Sequence, residues 1–145
     1  MSIFEKGYIF AISTAIFWGL APICVKLGIR NMNPISAFEI RSFGVIICFL
    51  TYSVISGRIL EYPKVLIENY KATSLLFLDG FLGAFIGQMT YYLAQKNWDA
   101  SKTVIVVSAF PVVTFILSYY ILGEPISLKK FIGLALVTSG VYLIK

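Results

Sequence analysis

The sequence has 145 residues, of which 59% are hydrophobic and 13% are charged, and its mean hydropathy is +0.86. Soluble domains carry about 25% charged residues, so this composition excludes a fully water-facing surface and predicts that most of the chain contacts lipid. The net charge of +5 comes from basic residues scattered between apolar runs, which argues against a nucleic-acid partner. The length allows one domain, residues 1–145.

The residue content also argues against catalysis and metal binding. There is no histidine, which removes histidine-based triads and the most frequent metal ligand. The two cysteines, Cys24 and Cys48, fall inside apolar runs and are expected to be buried free thiols. No phosphate-binding loop, nucleophile elbow or zinc-protease motif is present. We therefore expect no enzyme activity, no cofactor and no metal.

Five apolar runs predict an all-α integral membrane protein, built as a bundle of five transmembrane helices. At a rise of about 1.5 Å per residue, about 20 helical residues cross a hydrocarbon core of about 30 Å. The last two runs flank Gly123, Glu124 and Pro125 and predict a helical hairpin across the bilayer. The predicted helices cover approximately 7–29, 34–56, 72–95, 102–122 and 126–144.

Between these runs, the sequence marks one long connection, two candidate kinks and one packing motif. Residues 57–71 mix charged and aromatic side chains and are predicted to lie at the headgroups. Pro22 and Pro111 are predicted to kink the first and fourth helices. They are candidate hinges for alternating access, and static kinks are the alternative. Gly83 and Gly87 have GxxxG spacing, which indicates helix packing.

Four charged side chains are predicted to lie at membrane depth: Lys26, Glu39, Arg41 and Asp79. Each needs a partner or a water-filled cavity there, so each is a candidate for the substrate or ion pathway. A short link joins the first two spans, which places Lys26 and Glu39 at similar depth and predicts that they can pair. The alternatives are that Lys26 and Arg41 only extend to the headgroups, that Glu39 only caps or pairs, and that Asp79 pairs with a lysine of the last helix.

Three uncharged side chains, Trp18, Gln88 and Tyr91, complete the candidate pathway. Trp18 and Tyr91, together with Tyr92, are placed to line an aromatic cavity. The alternative is that these rings face lipid or pack between helices.

The distribution of basic residues favours one orientation only weakly. Five spans put the termini on opposite sides, and the side with more lysine and arginine tends to be cytoplasmic. Six basic residues fall on the N-terminal side and four on the other: Lys6, Arg58, Lys64, Lys71, Lys129 and Lys130 against Arg30, Lys96, Lys102 and Lys145. So small a difference leaves room for insertion in both orientations.

An ordered set of these residues resembles the EamA family of the drug/metabolite transporter superfamily. The set consists of Trp18-Gly19, Lys26, Pro34, Arg41, Ala94, Ser101, Ser108, Pro111, Leu122-Gly123-Glu124, Gly133 and Gly140-Val141. The resemblance implies ten helices in two inverted repeats of five, and export of small metabolites, amino acids or drugs through a central cavity. This chain looks like one such repeat, which needs a second copy or a paired partner. The related small multidrug resistance proteins carry a glutamate in their first helix, and no acid lies between Tyr8 and Ile29 here.

The leading hypothesis is therefore a subunit of a secondary active transporter that works by alternating access. Its expected partners are the lipid bilayer, a small-molecule substrate, and a second repeat in an antiparallel homodimer or a heterodimer. Its expected location is the plasma membrane of a prokaryotic-type cell, which it crosses several times. The alternative is a non-transporting membrane protein that assembles with another membrane protein. A hollow lined by polar and aromatic residues favours transport, and an apolar centre favours the alternative.

Overall fold

The computed structural model describes the backbone of residues 3–144 and the side chains of residues 7–144. Within these residues all regular structure is helical, which confirms the predicted all-α class. The elements are α1 Ile3–Gly28, α2 Pro34–Ile55, a 3₁₀ turn Arg58–Leu60, α3 Tyr62–Glu68, α4 Tyr70–Asp79, a π-helical stretch Gly80–Gly87, α5 Gln88–Asn97, α6 Ala100–Val107, α7 Phe110–Leu122 and α8 Leu128–Ile144.

Four helical stretches of the described chain are long and apolar enough to cross a membrane. They are Gly7–Gly28, Pro34–Ile55, Tyr70–Asn97 and Ala100–Leu122. The protein is thus a multi-pass membrane protein. The last helix, α8, has 17 residues, which at about 1.5 Å per residue is slightly shorter than a hydrocarbon core of about 30 Å. The fifth crossing stays a prediction.

The first two spans have clear sequence boundaries. The first ends at Gly28, and the second begins with Pro34 at its first helical position, where the missing N–H of proline costs nothing. Asn33 caps α2, because its side-chain oxygen accepts a hydrogen bond of 2.8 Å from the backbone N–H of Ile35. At the other end Gly57 has φ 71°, a left-handed conformation in which the chain leaves α2.

The connection after α2 contains the 3₁₀ turn and α3 and is tied back to α2 by one side chain. The hydroxyls of Ser53 and Tyr62 lie 2.7 Å apart, and Ser53 is buried. This contact fixes the start of α3 against the end of the second span. The location of this segment at the headgroups stays a prediction.

The third and fourth spans are both irregular. The third passes from α4 through eight residues of π-helix into α5. The fourth is interrupted at Ser108 and Ala109, directly before α7, whose second residue is Pro111. In a continuous helix Pro111 would have no N–H to donate to the carbonyl of Val107, four residues earlier, and its ring would clash with that carbonyl, which explains the interruption.

The chain divides into two compact units, one made of residues up to Ile23 together with those from Trp98 onward, and the other of Cys24–Asn97. In the first unit, Gly123 ends α7 with φ 65° and Glu124 donates its backbone N–H to the carbonyl of Ser118. The Glu124 carboxylate forms a 3.1 Å ion pair with Lys130 of α8. The Gly123-Glu124 turn therefore connects α7 to α8.

The second unit contains the small apolar core of the described residues, made of Ile29, Ala37, Phe38 and Tyr92. The ring centroids of Phe38 and Tyr92 lie 5.9 Å apart, and this contact joins α2 to α5. Most other large apolar side chains are exposed in the isolated chain, as expected for helices that face lipid or another subunit. Cys24 and Cys48 are free thiols, but the expectation that they are buried is wrong, because both are exposed on their helices.

Candidate functional site

Two lysines join the C-terminal ends of the first and third spans. The Lys26 ammonium of α1 donates a 2.6 Å hydrogen bond to the backbone carbonyl of Gln95 in α5. Lys96 of α5 donates in the opposite direction, to the carbonyls of Ile29 at 2.9 Å and Arg30 at 3.4 Å. The last carbonyls of a helix have no intrahelical donor and carry partial negative charge, so each lysine stabilises the end of the neighbouring helix. We call these two contacts the lysine clamp.

The described side chains contain no ion pair between Lys26 and Glu39, contrary to the sequence-based pairing. Lys26 binds Gln95 instead, and the ion pairs seen are Lys64–Glu68 and Lys130–Glu124. Lying at a similar depth is not sufficient for pairing, because on α2 the residues that enter the core are Ala37 and Phe38, whereas Glu39 is exposed.

Gln95 and Lys96 were not among the candidate residues predicted from the sequence. For Lys96, the sequence did contain one indication of its role. Both α1 and α5 carry a lysine in the last turn, Lys26 and Lys96. A basic residue there is a common way to satisfy the last carbonyls of a helix. Which helix end each lysine reaches depends on the packing of the two helices, and this information is absent from the local sequence.

A row of polar side chains runs along one face of α5. Gln88, Tyr91 and Gln95 are spaced three and four residues apart and so share a face. The side-chain N–H of Gln95 donates a 2.7 Å hydrogen bond to the Tyr91 hydroxyl, and the fully buried amide oxygen of Gln95 has no partner among the described residues. Gln88 and Tyr91 are half-buried. The structure thus places two predicted pathway residues, Gln88 and Tyr91, on one face of α5. Gln95, which was not predicted from the sequence, lies on the same face.

Arg41 stands at one end of an open groove on α2. The groove has a volume of about 520 Å³ and is lined by Arg41, Gly44, Val45, Cys48, Phe49 and Tyr52. Arg41 follows the buried pair Ala37 and Phe38 by one helical turn and is itself exposed. The face of α2 that enters the core near its start therefore continues as an unfilled surface further along the helix.

The remaining charged candidates, Glu39 and Asp79, are exposed. Asp79 is the last residue of α4, immediately before the π-helical stretch, and its carboxylate lies close to Gly83. π-Helical segments are rare and are frequent at functional sites. No group of three or more cysteine, aspartate or glutamate side chains in the described part of the chain is arranged to hold a metal ion.

The aromatic and proline candidates lie on different elements. Trp18 is 67% exposed on α1. Pro22 is buried inside α1, which continues through it, and the division between the two units falls just after it, between Ile23 and Cys24. Pro111 is half-buried at the start of α7. The roles of the two prolines as hinges stay predictions.

Comparison with known proteins gives one family match and several distant relatives. The profile of the EamA-like transporter family matches residues 5–145. The chain is 26% identical over 134 residues to an uncharacterized transporter of Archaeoglobus fulgidus, a match that covers 92% of this chain and 46% of that protein. It is 28% identical over 134 residues to the uncharacterized transporter YoaV of Bacillus subtilis, covering 92% and 44%.

A third relative is Protein LicB of Haemophilus influenzae, which is 28% identical over 133 residues, covering 90% of this chain and 44% of that protein. The chain therefore spans about half the length of the curated relatives it matches. No solved structure was found to match it.

Proposed function

Since this chain belongs to the EamA-like transporter family, we propose that it forms one half of a secondary active transporter for small organic molecules. The other half is a second five-helix repeat, supplied by another copy in antiparallel orientation or by a paired repeat. Substrate binds near the middle of the bilayer between the halves, and the halves rock to open the site to each side in turn. The proposed location is the plasma membrane, and no chemical reaction is catalysed.

This proposal rests on two observations together: the chain covers about half of each relative, and little of its apolar surface is buried. The chain matches about half of each relative, and its described apolar core consists of four residues. Glu39, Arg41 and Asp79 lie within membrane-spanning helices and are exposed in the isolated chain. Charged groups at membrane depth require a partner or a water-filled cavity. A second repeat provides both.

The proposed pathway keeps most of the residues predicted from the sequence. Arg41 and the polar face of α5 both belong to the second unit, Cys24–Asn97, and are proposed to face the second repeat. Lys26 is assigned to the lysine clamp, because its ammonium is bound to a backbone carbonyl. The proposed pathway residues are Trp18, Glu39, Arg41, Asp79, Gln88 and Tyr91, with Pro22 and Pro111 as hinges.

Transport is tested by reconstituting the purified chain in liposomes and measuring counterflow. The panel contains amino acids, aliphatic and aromatic carboxylates, amines and nucleosides. We expect at least one labelled solute to accumulate above the level of protein-free liposomes, and unlabelled solute of the same kind to drive its exchange. If the folded protein exchanges no member of the panel, the non-transporting alternative replaces the proposal.

The arrangement of the two halves is tested separately by cysteine accessibility. In a background with Cys24→Ser and Cys48→Ser, single cysteines are placed by Asn31→Cys and Lys64→Cys, in the connections after the first and second spans. We expect each site to be labelled from outside in part of the population, as in an antiparallel dimer. If only one of the two sites is labelled from outside, the chain has a single orientation. The antiparallel homodimer is then wrong, and the second half must come from another repeat.

A further inference from the structure

The third span changes its hydrogen-bond pattern in the π-helical stretch. At the start of the stretch, the backbone N–H of Gly80 donates to the carbonyl of Leu76, four residues earlier, as in an α-helix. At its end, the N–H of Gln88 donates to the carbonyl of Gly83, five residues earlier, and also to that of Phe85. The hydrogen-bond register therefore shifts by one residue within this stretch.

A π-helical and an α-helical form of this stretch differ only in the carbonyl that each N–H selects. In the α-helical form each N–H donates to the carbonyl four residues earlier instead of five, so no hydrogen bond is lost. The residues that change partner are small and apolar, with the sequence GFLGAFIG. No polar side chain within the stretch has to leave a partner when the backbone changes form.

The two sides of the stretch are held very differently. On the C-terminal side, α5 contains the buried residues Tyr92 and Gln95 and is joined to α1 by the lysine clamp. The Phe85 ring, near the end of the stretch, lies 5.9 Å from that of Phe38 in α2. On the N-terminal side, α4 contains no buried residue, and all of its residues are described. The packing therefore fixes α5 and leaves α4 able to turn.

We propose that the π-helical stretch is a swivel in the third span. Conversion between the π-helical and the α-helical form turns α4 about the axis of the span, while α5 stays in place. A shift of one residue in register corresponds to a turn of about 100°. Asp79, the last residue of α4, turns with it, so its carboxylate points in a different direction in each form. That this turn moves Asp79 during transport rests on the proposed function, whereas the turn itself does not.

One glycine distinguishes the two forms. In the π-helical form a side-chain carbon at Gly87 would lie 3.2 Å from the carbonyl oxygen of Leu82, five residues earlier. The interior of an α-helix accepts alanine better than any other residue. We therefore expect Gly87→Ala to raise the ratio of the α-helical to the π-helical form about fivefold. Gly80→Ala is the matched control, because a side-chain carbon there would meet nothing within 4 Å.

The turn is measured as a distance between two spin labels by double electron–electron resonance. The full chain, in the cysteine-free background, is placed in lipid nanodiscs and diluted with unlabelled protein, so that the distances within one chain are read. The moving pair joins Leu75→Cys in α4 to Val54→Cys at the end of α2. The reference pair joins Leu93→Cys in α5 to Ile40→Cys in α2. All four residues are exposed, and each labelled protein is first checked for helix content.

The two pairs have different expected results. The moving pair should show a major and a minor distance in the wild type, and the minor one should gain about fivefold over the major one in Gly87→Ala. Gly80→Ala should leave this ratio close to the wild-type value. The reference pair should show one unchanged distance in all three proteins. The wild-type measurement remains a test of the swivel if a glycine variant does not fold.

Several results would overturn the inference. It is wrong if the moving pair shows one distance in the wild type and in every variant that folds. It is also wrong if Gly80→Ala changes the ratio as much as Gly87→Ala, or if the reference pair changes together with the moving pair. Two distances in a protein without counterflow would leave the swivel standing and contradict the proposed transport. Counterflow by a protein whose moving pair shows one distance would do the reverse.

Discussion

Lys26 and Lys96 each bind the end of the helix that carries the other. Lys26 reaches the carbonyl of Gln95 at 2.6 Å, and Lys96 reaches that of Ile29 at 2.9 Å. Ile29 and Gln95 are among the most buried residues of the described chain. The lysine clamp therefore lies beside the small apolar core, where the first and third spans end, and we infer that it holds these two ends together.

Removing one lysine should destabilise the protein measurably. We expect Lys26→Met to lower the free energy of unfolding by about 1 to 2 kcal/mol, because a charged hydrogen bond is lost and a buried carbonyl loses its donor. Lys96→Met should have an effect of the same sign, and the double variant a larger one. The measurement is unfolding by sodium dodecyl sulfate in mixed micelles, followed by circular dichroism.

Lys64→Met is the matched control for the clamp. Lys64 pairs with Glu68 at 3.9 Å on an exposed helix, and exposed pairs contribute about 0 to 1 kcal/mol. Its removal should change stability less than the removal of Lys26. A loss as large as that of Lys26→Met would show that the clamp has no special role in stability.

Two glycines of the π-helical stretch, Gly80 and Gly87, are predicted to differ in how well they tolerate replacement by alanine. A side-chain carbon at Gly87 would lie 3.2 Å from the carbonyl oxygen of Leu82, whereas one at Gly80 would meet nothing within 4 Å. We expect Gly87→Ala to be about 1 kcal/mol less stable than Gly80→Ala, because the added methyl group must displace backbone. The same unfolding assay measures both variants. Equal stabilities would mean that the π-helical backbone adapts without cost.

The sequence predicted the helices because each span is an apolar run with a marked boundary. Gly28 and Pro34 limit the first two spans to within a few residues of the observed ends. The π-helical stretch was missed, because an apolar run with glycines has the same composition in an α-helix and in a π-helix. Pro111 predicted a kink, and the structure has a full interruption of the helix at Ser108 and Ala109.

The candidate site was harder to predict than the helices. Depth in the membrane can be estimated by counting residues, and this identified Lys26, Glu39 and Arg41. Their partners depend on rotation about the helix axis and on which helix lies opposite, so the pairing of Lys26 with Glu39 failed. The groove beside Arg41 runs along α2, and whether another helix covers this face depends on packing that no local pattern records.

The turn between α7 and α8 depends on the conformation of one glycine. Gly123 has φ 65°, where a side chain costs roughly 1 to 2 kcal/mol. We therefore expect Gly123→Ala to lower the free energy of unfolding by about that amount. Gly133→Ala is the control, because Gly133 lies inside α8 with open space around it and the replacement should be neutral or slightly stabilising. If both variants behave alike, Gly123 does not hold the turn.

Asp79 provides the sharpest test of a residue in the proposed pathway. It is the last of the ten residues of α4, about 14 Å along the third span at about 1.5 Å per residue, and it is exposed at the start of the π-helical stretch. A carboxylate at this depth is costly unless it is paired or faces a water-filled cavity, and such residues commonly mark a substrate or ion pathway. We expect Asp79→Asn to abolish counterflow in liposomes while expression and helix content stay at the wild-type level.

Asp79→Glu keeps the charge and should retain part of the flux. Asp99→Asn is the matched control, because Asp99 precedes α6 in a connection and its side chain makes no capping hydrogen bond. It should transport like the wild type. If Asp79→Asn also shows wild-type flux, this carboxylate has no part in transport. Glu39, the other exposed acid in a span, is then the remaining candidate for ion coupling.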